Sequence, residues 1–262
     1  MVKKMKTKWK LFITLLSLSI FGWFAVIPYT LTLEGALLQN LPVPIYVLLG
    51  GQFIQSLIIF VVAIFIGLSL VKKVGLEIPI LEGWLEGKTV FEYLKSILPI
   101  SILLGIIAGT LIIGLQIVFA FAGIAITAPA SQLNPPAWQG FLASFYGGIN
   151  EEILLRLFLM TLLVWIFFKL KKTEEGKPTK IGIWLSIIIA AVIFGAGHLP
   201  TASALTALTI PIVTYIIILN SVGGIIFGWL YWKKGLESAM IGHFITDLIL
   251  HVIPILIIST IT

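Results

Sequence analysis

The chain holds one arginine, Arg156, and one aspartate, Asp247, and both stand inside long apolar runs. Glu151, Glu152, His198 and His243 occupy the same kind of surroundings. An ionised side chain at the centre of a bilayer costs roughly 2.5–3.5 kcal/mol even on the lenient insertion scale. Residues of that cost, gathered in three segments, describe a polar site built in a dry environment. Carboxylates and imidazoles take up and return protons, so acid–base work on a water molecule is the chemistry this set suits. Proton relay is the competing use.

Spacing divides the roles. On an α-helix Glu152 and Arg156, four residues apart, lie within about 40° of one face, while Glu151 points about 100° away from Glu152. Arg156 is expected to neutralise Glu152 and leave Glu151 free to accept a proton from water. A bare ion pair that made the helix insertable would need one glutamate, and there are two. His198 closes the stretch Phe194-Gly195-Ala196-Gly197-His198, whose glycines permit close approach of a neighbouring helix or cavity. His243 and Asp247 again stand four apart, and Asp247 is expected to hold one ring nitrogen of His243 and fix its tautomer. His251, one turn further, reads as structural.

Other chemistries are missing. No cysteine is present, which excludes thiolate catalysis, disulfides and cysteine-ligated zinc. There is no H-E-x-x-H, no G-x-S-x-G and no glycine-rich phosphate loop. A single aspartate excludes a two-aspartate membrane protease.

The elements that must position these residues are legible in composition. Hydrophobic residues make up 59% of the 262 and charged ones 11%, and mean hydropathy is +1.13. That profile predicts an all-α polytopic transmembrane helical bundle. Apolar runs occupy 11–33, 45–71, 96–127, 140–168, 181–199, 203–232 and 238–261. The lysines fall at 1–10, 72–95, 169–180 and 233–237, and none falls at 34–44, 128–139 or 199–203. The positive-inside rule then predicts seven crossings with a cytoplasmic N-terminus. Pro211, Asn220, Gly223 and Gly224 interrupt the 203–232 run, so an eighth segment stays open. The first apolar run is too long for a signal peptide and reads as an uncleaved span. The 72–95 connection is expected to include an interfacial helix. One membrane domain is expected over 1–262, with its site in the last four spans. The net charge of +6 sits at segment ends and speaks for membrane orientation, not nucleic acid.

EExxxR at 151–156, FxxxH at 194–198 and HxxxD at 243–247 resemble, in this order, the CPBP family of CAAX-prenyl proteases and bacteriocin-processing (Abi) proteins. The stretch from Phe227 and Gly228 through Gly235 to His243 adds to the likeness, which covers about residues 140–250. The resemblance implies a glutamate-type intramembrane endopeptidase. Glu151 would be the general base, supported by Glu152 and Arg156, and His198 would share the water. His243 and Asp247 would stabilise the oxyanion. The usual residue at the last position is asparagine. An ionised Asp247 would repel an oxyanion, so it must be protonated or serve only to orient His243. No cofactor is expected; a zinc or manganese ion held by the histidines and carboxylates is the minority reading. The implied partners are the lipid bilayer and a hydrophobic, prenylated or membrane-associated peptide substrate. The Ile- and Lys-rich composition has a bacterial style and suggests a cell-membrane location. The alternatives are a non-catalytic self-immunity or scaffold protein, and an ion-coupled carrier, which would normally show paired broken helices.

Overall fold

The computed structural model describes residues 2–33, 35, 42–125 and 135–261. The lysine-free connections expected at 34–44 and 128–139 lie largely outside them. Among the described residues there are seven helices long and apolar enough to cross a membrane, with mean hydropathies from 1.9 to 2.7. The protein is an integral, multi-pass, all-α membrane protein.

Helix α1 (Val2–Leu33) and α2 (Ile45–Leu70) form the first two crossings. A 3-10 turn, Val71–Val74, ends on Gly75, whose φ of 71° only glycine adopts without strain. The short α3 (Pro79–Leu85) follows, then α4 (Phe91–Phe121). The fourth crossing is composite: α5 (Ala137–Phe145), two π-helical stretches at Tyr146–Glu151 and Ile153–Met160, and α6 (Thr161–Leu170). Next come α7 (Lys180–Gly197) and the short α8 (Leu199–Leu205). The chain closes with α9 (Ile210–Lys234), α10 (Leu236–His251) and α11 (Ile253–Ile261).

The 203–232 run is divided, but not where its interior residues suggested. The break falls between Leu205 and Ile210, and α9 then runs unbroken past Asn220, Gly223 and Gly224. Pro211 lies in the first turn of α9, where its missing N–H costs nothing, and the Thr209 hydroxyl accepts from the Ile212 N–H at 3.4 Å. Among the described residues the count is therefore seven crossings. The helix expected in the 72–95 connection is α3. It docks on the α9–α10 turn, where the Leu81 N–H donates to Glu237 at 2.8 Å and the Leu236 N–H donates to the Glu77 carbonyl at 3.1 Å.

The helices most extensively paired are α7 with α9, α4 with α10, and α9 with α10. Leu15, Ile64, Leu157, Met160, Ile187 and Leu230 are core residues where α1, α2, the fourth crossing, α7 and α9 meet. Ile54, Phe65, Leu103, Leu111 and Ile188 are exposed on the outer faces, as lipid contact requires. Association in lipid relies on close packing, and α4 meets α10 at Gly105, where a Cβ would stand 2.5 Å from the Gly242 carbonyl and 2.9 Å from Ile245. Thr246 bridges the same seam, donating to the Gly105 carbonyl at 3.0 Å. Gly105→Val is expected to cost about 1–3 kcal/mol through overpacking. A lowered midpoint of thermal unfolding in detergent checks this.

Candidate active site

The fourth crossing sets out the carboxylates, and its π-helical turns mark the place. Such turns are rare and often occur at functional sites. Here two glycines and an asparagine sit in the first stretch. A Cβ on Gly147 would collide with the Asp247 carboxylate and stand 3.2 Å from His243 Nε2; one on Gly148 would stand 2.9 Å from the Met240 carbonyl. Only bare backbone lets this helix lie so near α10. Asn150, fully buried, donates from Nδ2 to the Ser19 carbonyl of α1 at 2.8 Å. The Thr161 hydroxyl donates to the Arg156 carbonyl, five residues back, at 3.0 Å.

Around these turns the regular 100° spacing does not apply, yet the Glu152–Arg156 pair forms at 3.2 Å with both side chains buried. Arg156 also donates to the Gly224 carbonyl at 3.1 Å, and its guanidinium lies 5.4 and 5.5 Å from the rings of Phe194 and Phe227. Carboxylate, carbonyl and aromatic faces offset part of the cost of a cation withdrawn from water, while Nη1 has no hydrogen-bond partner among the described residues.

His243 is the hub. Its Nδ1 lies 2.8 Å from Glu152 Oε1; its Nε2 lies 3.5 Å from Glu151 Oε2 and 3.6 Å from Asp247 Oδ1. Phe227 stacks on the ring at 4.5 Å. The spacing had suggested that Asp247 fixes the tautomer of His243. Glu152 makes the hydrogen bond instead, because the fourth crossing approaches α10 closely enough to reach Nδ1. Asp247 stands beyond hydrogen-bond distance from Nε2. One turn of helix brings two side chains to the same face but does not decide which oxygen reaches which nitrogen.

The three carboxylates differ in access. Glu152 is 0% exposed, Asp247 13% and Glu151 22%. Glu151 is thus the one most open to water. It lines a cavity of about 430 Å³ together with His198, His243 and Asp247. His198, at the end of α7, has Nδ1 2.9 Å from the Phe194 carbonyl. A carbonyl only accepts, so Nδ1 carries a proton and a neutral ring keeps Nε2 as a lone-pair acceptor. The Phe194 ring meets both histidines edge to face, at 4.8 Å from His198 and 5.7 Å from His243. Gly195 does permit close approach, since a Cβ there would stand 2.7 Å from Ile217, whereas Gly197 faces open space.

All six singled-out residues are gathered: four on the cavity wall, with Glu152 and Arg156 behind it. The site is wider than the last four crossings, however. α1 contributes Tyr29 and α4 contributes Gln116 to the same cavity. His251 is also on its wall, 3.3 Å through Nδ1 from the Tyr29 hydroxyl. Its spacing of four from Asp247 placed it on the His243 face; no sequence signal pointed to Tyr29. Among the described residues no group of three His, Asp or Glu side chains is arranged to hold a metal ion.

A family model described as Type II CAAX prenyl endopeptidase Rce1-like matches residues 133–249. This segment is similar to that family. It carries all three motifs and every one of the six residues, which bears out the family likeness read from them. The matched segment covers a little under half of the chain; Tyr29 and Gln116 lie outside it. No curated protein and no solved structure matches.

Proposed function

We propose that this protein is an intramembrane endopeptidase that hydrolyses a peptide bond with water activated by Glu151. The observation that carries this is the most accessible of three clustered carboxylates lying 3.5 Å from a buried imidazole, with a second imidazole on the same cavity wall. The Rce1-like match supports the protease class.

In the proposed reaction a water sits between Glu151 and Nε2 of His198. Glu151 takes one proton, and the oxygen attacks the carbonyl carbon of the scissile bond. The carbonyl π pair moves to oxygen, forming a tetrahedral oxyanion. The Nε2–H of His243 donates to it, with the ring held from behind by Glu152. Collapse breaks the C–N bond as Glu151 returns its proton to the leaving amine. Glu152 orients His243 through Nδ1, with Asp247 3.6 Å from Nε2. Arg156 acts at one remove, by holding the Glu152 carboxylate in place.

We place residues 1–10 and the other lysine-bearing connections on the cytoplasmic side, in keeping with the positive-inside rule. A bacterial cell membrane and a hydrophobic or prenylated peptide substrate complete the reading.

The test is purified protein against a hydrophobic peptide library, in prenylated and unprenylated forms, with and without chelator. Chelator-insensitive cleavage is expected. No cleavage of any member, by protein shown folded, would reject the reading. A finer check is Gly147→Ala, whose added methyl pushes Asp247 and His243 from their present positions. A displacement of this kind should reduce turnover about 10²-fold. Unchanged turnover would separate Asp247 and His243 from the chemistry.

A further inference from the structure

Beyond the catalytic cavity lies a second chamber, of about 440 Å³, between α1 and α2. The two share Tyr29, Tyr146, Glu151 and Thr201 in their walls, so Glu151 stands where they meet. The α2 wall of the second chamber is Leu49, Gln52, Gln55, Ser56 and Ile59, one face of a helix. Three polar residues on one face of an otherwise apolar crossing call for a cause.

No described residue hydrogen-bonds the side chains of Gln52, Gln55 or Ser56. The contrast with other serines in these helices is informative. Ser19, Ser69, Ser101 and Ser186 each return the hydroxyl to the carbonyl four residues back, at 2.7–2.9 Å. Ser56 lines the chamber and makes no such bond with a described residue. Gln52 and Gln55 are exposed and Ser56 is half-buried; within a membrane-spanning helix an amide or hydroxyl left without a partner costs free energy, so these groups serve something that enters the chamber.

Resting on the endopeptidase reading, we propose that Gln52, Gln55 and Ser56 form a subsite that hydrogen-bonds the extended peptide backbone on one side of the scissile bond. The wall chemistry selects this ligand. Glutamine amides and hydroxyls both donate and accept, as a peptide backbone requires. Among the described residues lining the chamber Glu151 is the one charged group, and none is a lysine or arginine that could hold a phosphate. Spacing agrees. Gln52 and Ser56 are separated by a rise of about 6 Å along the helix. In an extended strand, groups facing the same way recur every two residues, about 6.6 Å. With its backbone held along α2, the peptide would cross Glu151 where the two chambers join.

The test measures binding in the full-length Glu151→Gln protein, so that turnover does not interfere. The probe is a fluorescein-labelled octapeptide of alternating leucine and alanine, compared with the same peptide N-methylated at every second amide. N-methylation is expected to weaken binding about tenfold, as is Q52L/Q55L, and the two losses should not add. Gln→Leu exchanges suit an apolar helix, and an unfolding midpoint equal to the parent's verifies folding. Equal affinity for both peptides, or full affinity in Q52L/Q55L, would overturn the subsite. Loss from Q52L/Q55L of co-purifying phospholipid alone would overturn it as well, in favour of a lipid site. Failure of the endopeptidase reading shows separately, as absence of cleavage by protein with Glu151 intact.

Discussion

Glu151→Gln is expected to lower peptide hydrolysis by about 10²–10⁴-fold, the usual worth of a positioned general base. The substitution keeps the shape and hydrogen-bonding reach of the side chain but removes its ability to take a proton. The unfolding midpoint should barely move, since Glu151 is the most accessible of the three carboxylates and the buried ion pair belongs to Glu152. Peptide binding should be retained. The measurement is single-turnover cleavage of the best library substrate alongside thermal unfolding. Wild-type turnover in the folded variant would remove Glu151 from the role of base. His198→Gln should act on the same step, because Nε2, the ring nitrogen not engaged with the Phe194 carbonyl, is the acceptor lost.

The second large effect concerns stability. Arg156→Met leaves the Glu152 carboxylate buried beside an uncharged neighbour, and breaking such a pair typically costs about 3–5 kcal/mol. A marked drop in unfolding midpoint is expected, with hydrolysis falling as well because Glu152 also holds Nδ1 of His243. Pairing the change with Glu152→Gln removes the stranded charge. The double variant should regain most of the stability while hydrolysis stays low, since the carboxylate that steadies the ring is gone. If the double variant is no more stable than Arg156→Met alone, the ion pair is not what the fold depends on.

How much of this was legible beforehand differs between parts of the molecule. The bundle was readable because lipid permits few solutions: a run of about twenty apolar residues with satisfied backbone is a helix. The importance of Glu151, Glu152, Arg156, His198, His243 and Asp247 was readable for a related reason. Charge at membrane depth is expensive, so each instance reports a purpose. Even the Arg156–Glu152 pairing followed from i,i+4 spacing and survived the π-helical turns.

Contacts between distant segments were not readable. That Glu152, not Asp247, holds His243 depends on Gly147 and Gly148 bringing the fourth crossing against α10, a distance set by packing rather than periodicity. The break before α9 fell at 206–209 because Pro211 starts a helix more readily than it interrupts one. Tyr29 carries no motif, and only the placement of α1 against the fourth crossing brings it to the cavity. The face of α2 bearing Gln52, Gln55 and Ser56 likewise acquires meaning only once a chamber is seen in front of it.

The amino-acid order by itself determined which groups are costly enough to matter and which stretches must be helical, because both follow from local transfer free energies. The tertiary structure alone decided which oxygen meets which nitrogen, which carboxylate stays open to water and which helices enclose the cavity. Those outcomes depend on interhelical distances of a few ångströms, fixed by small-residue packing among segments far apart in the chain.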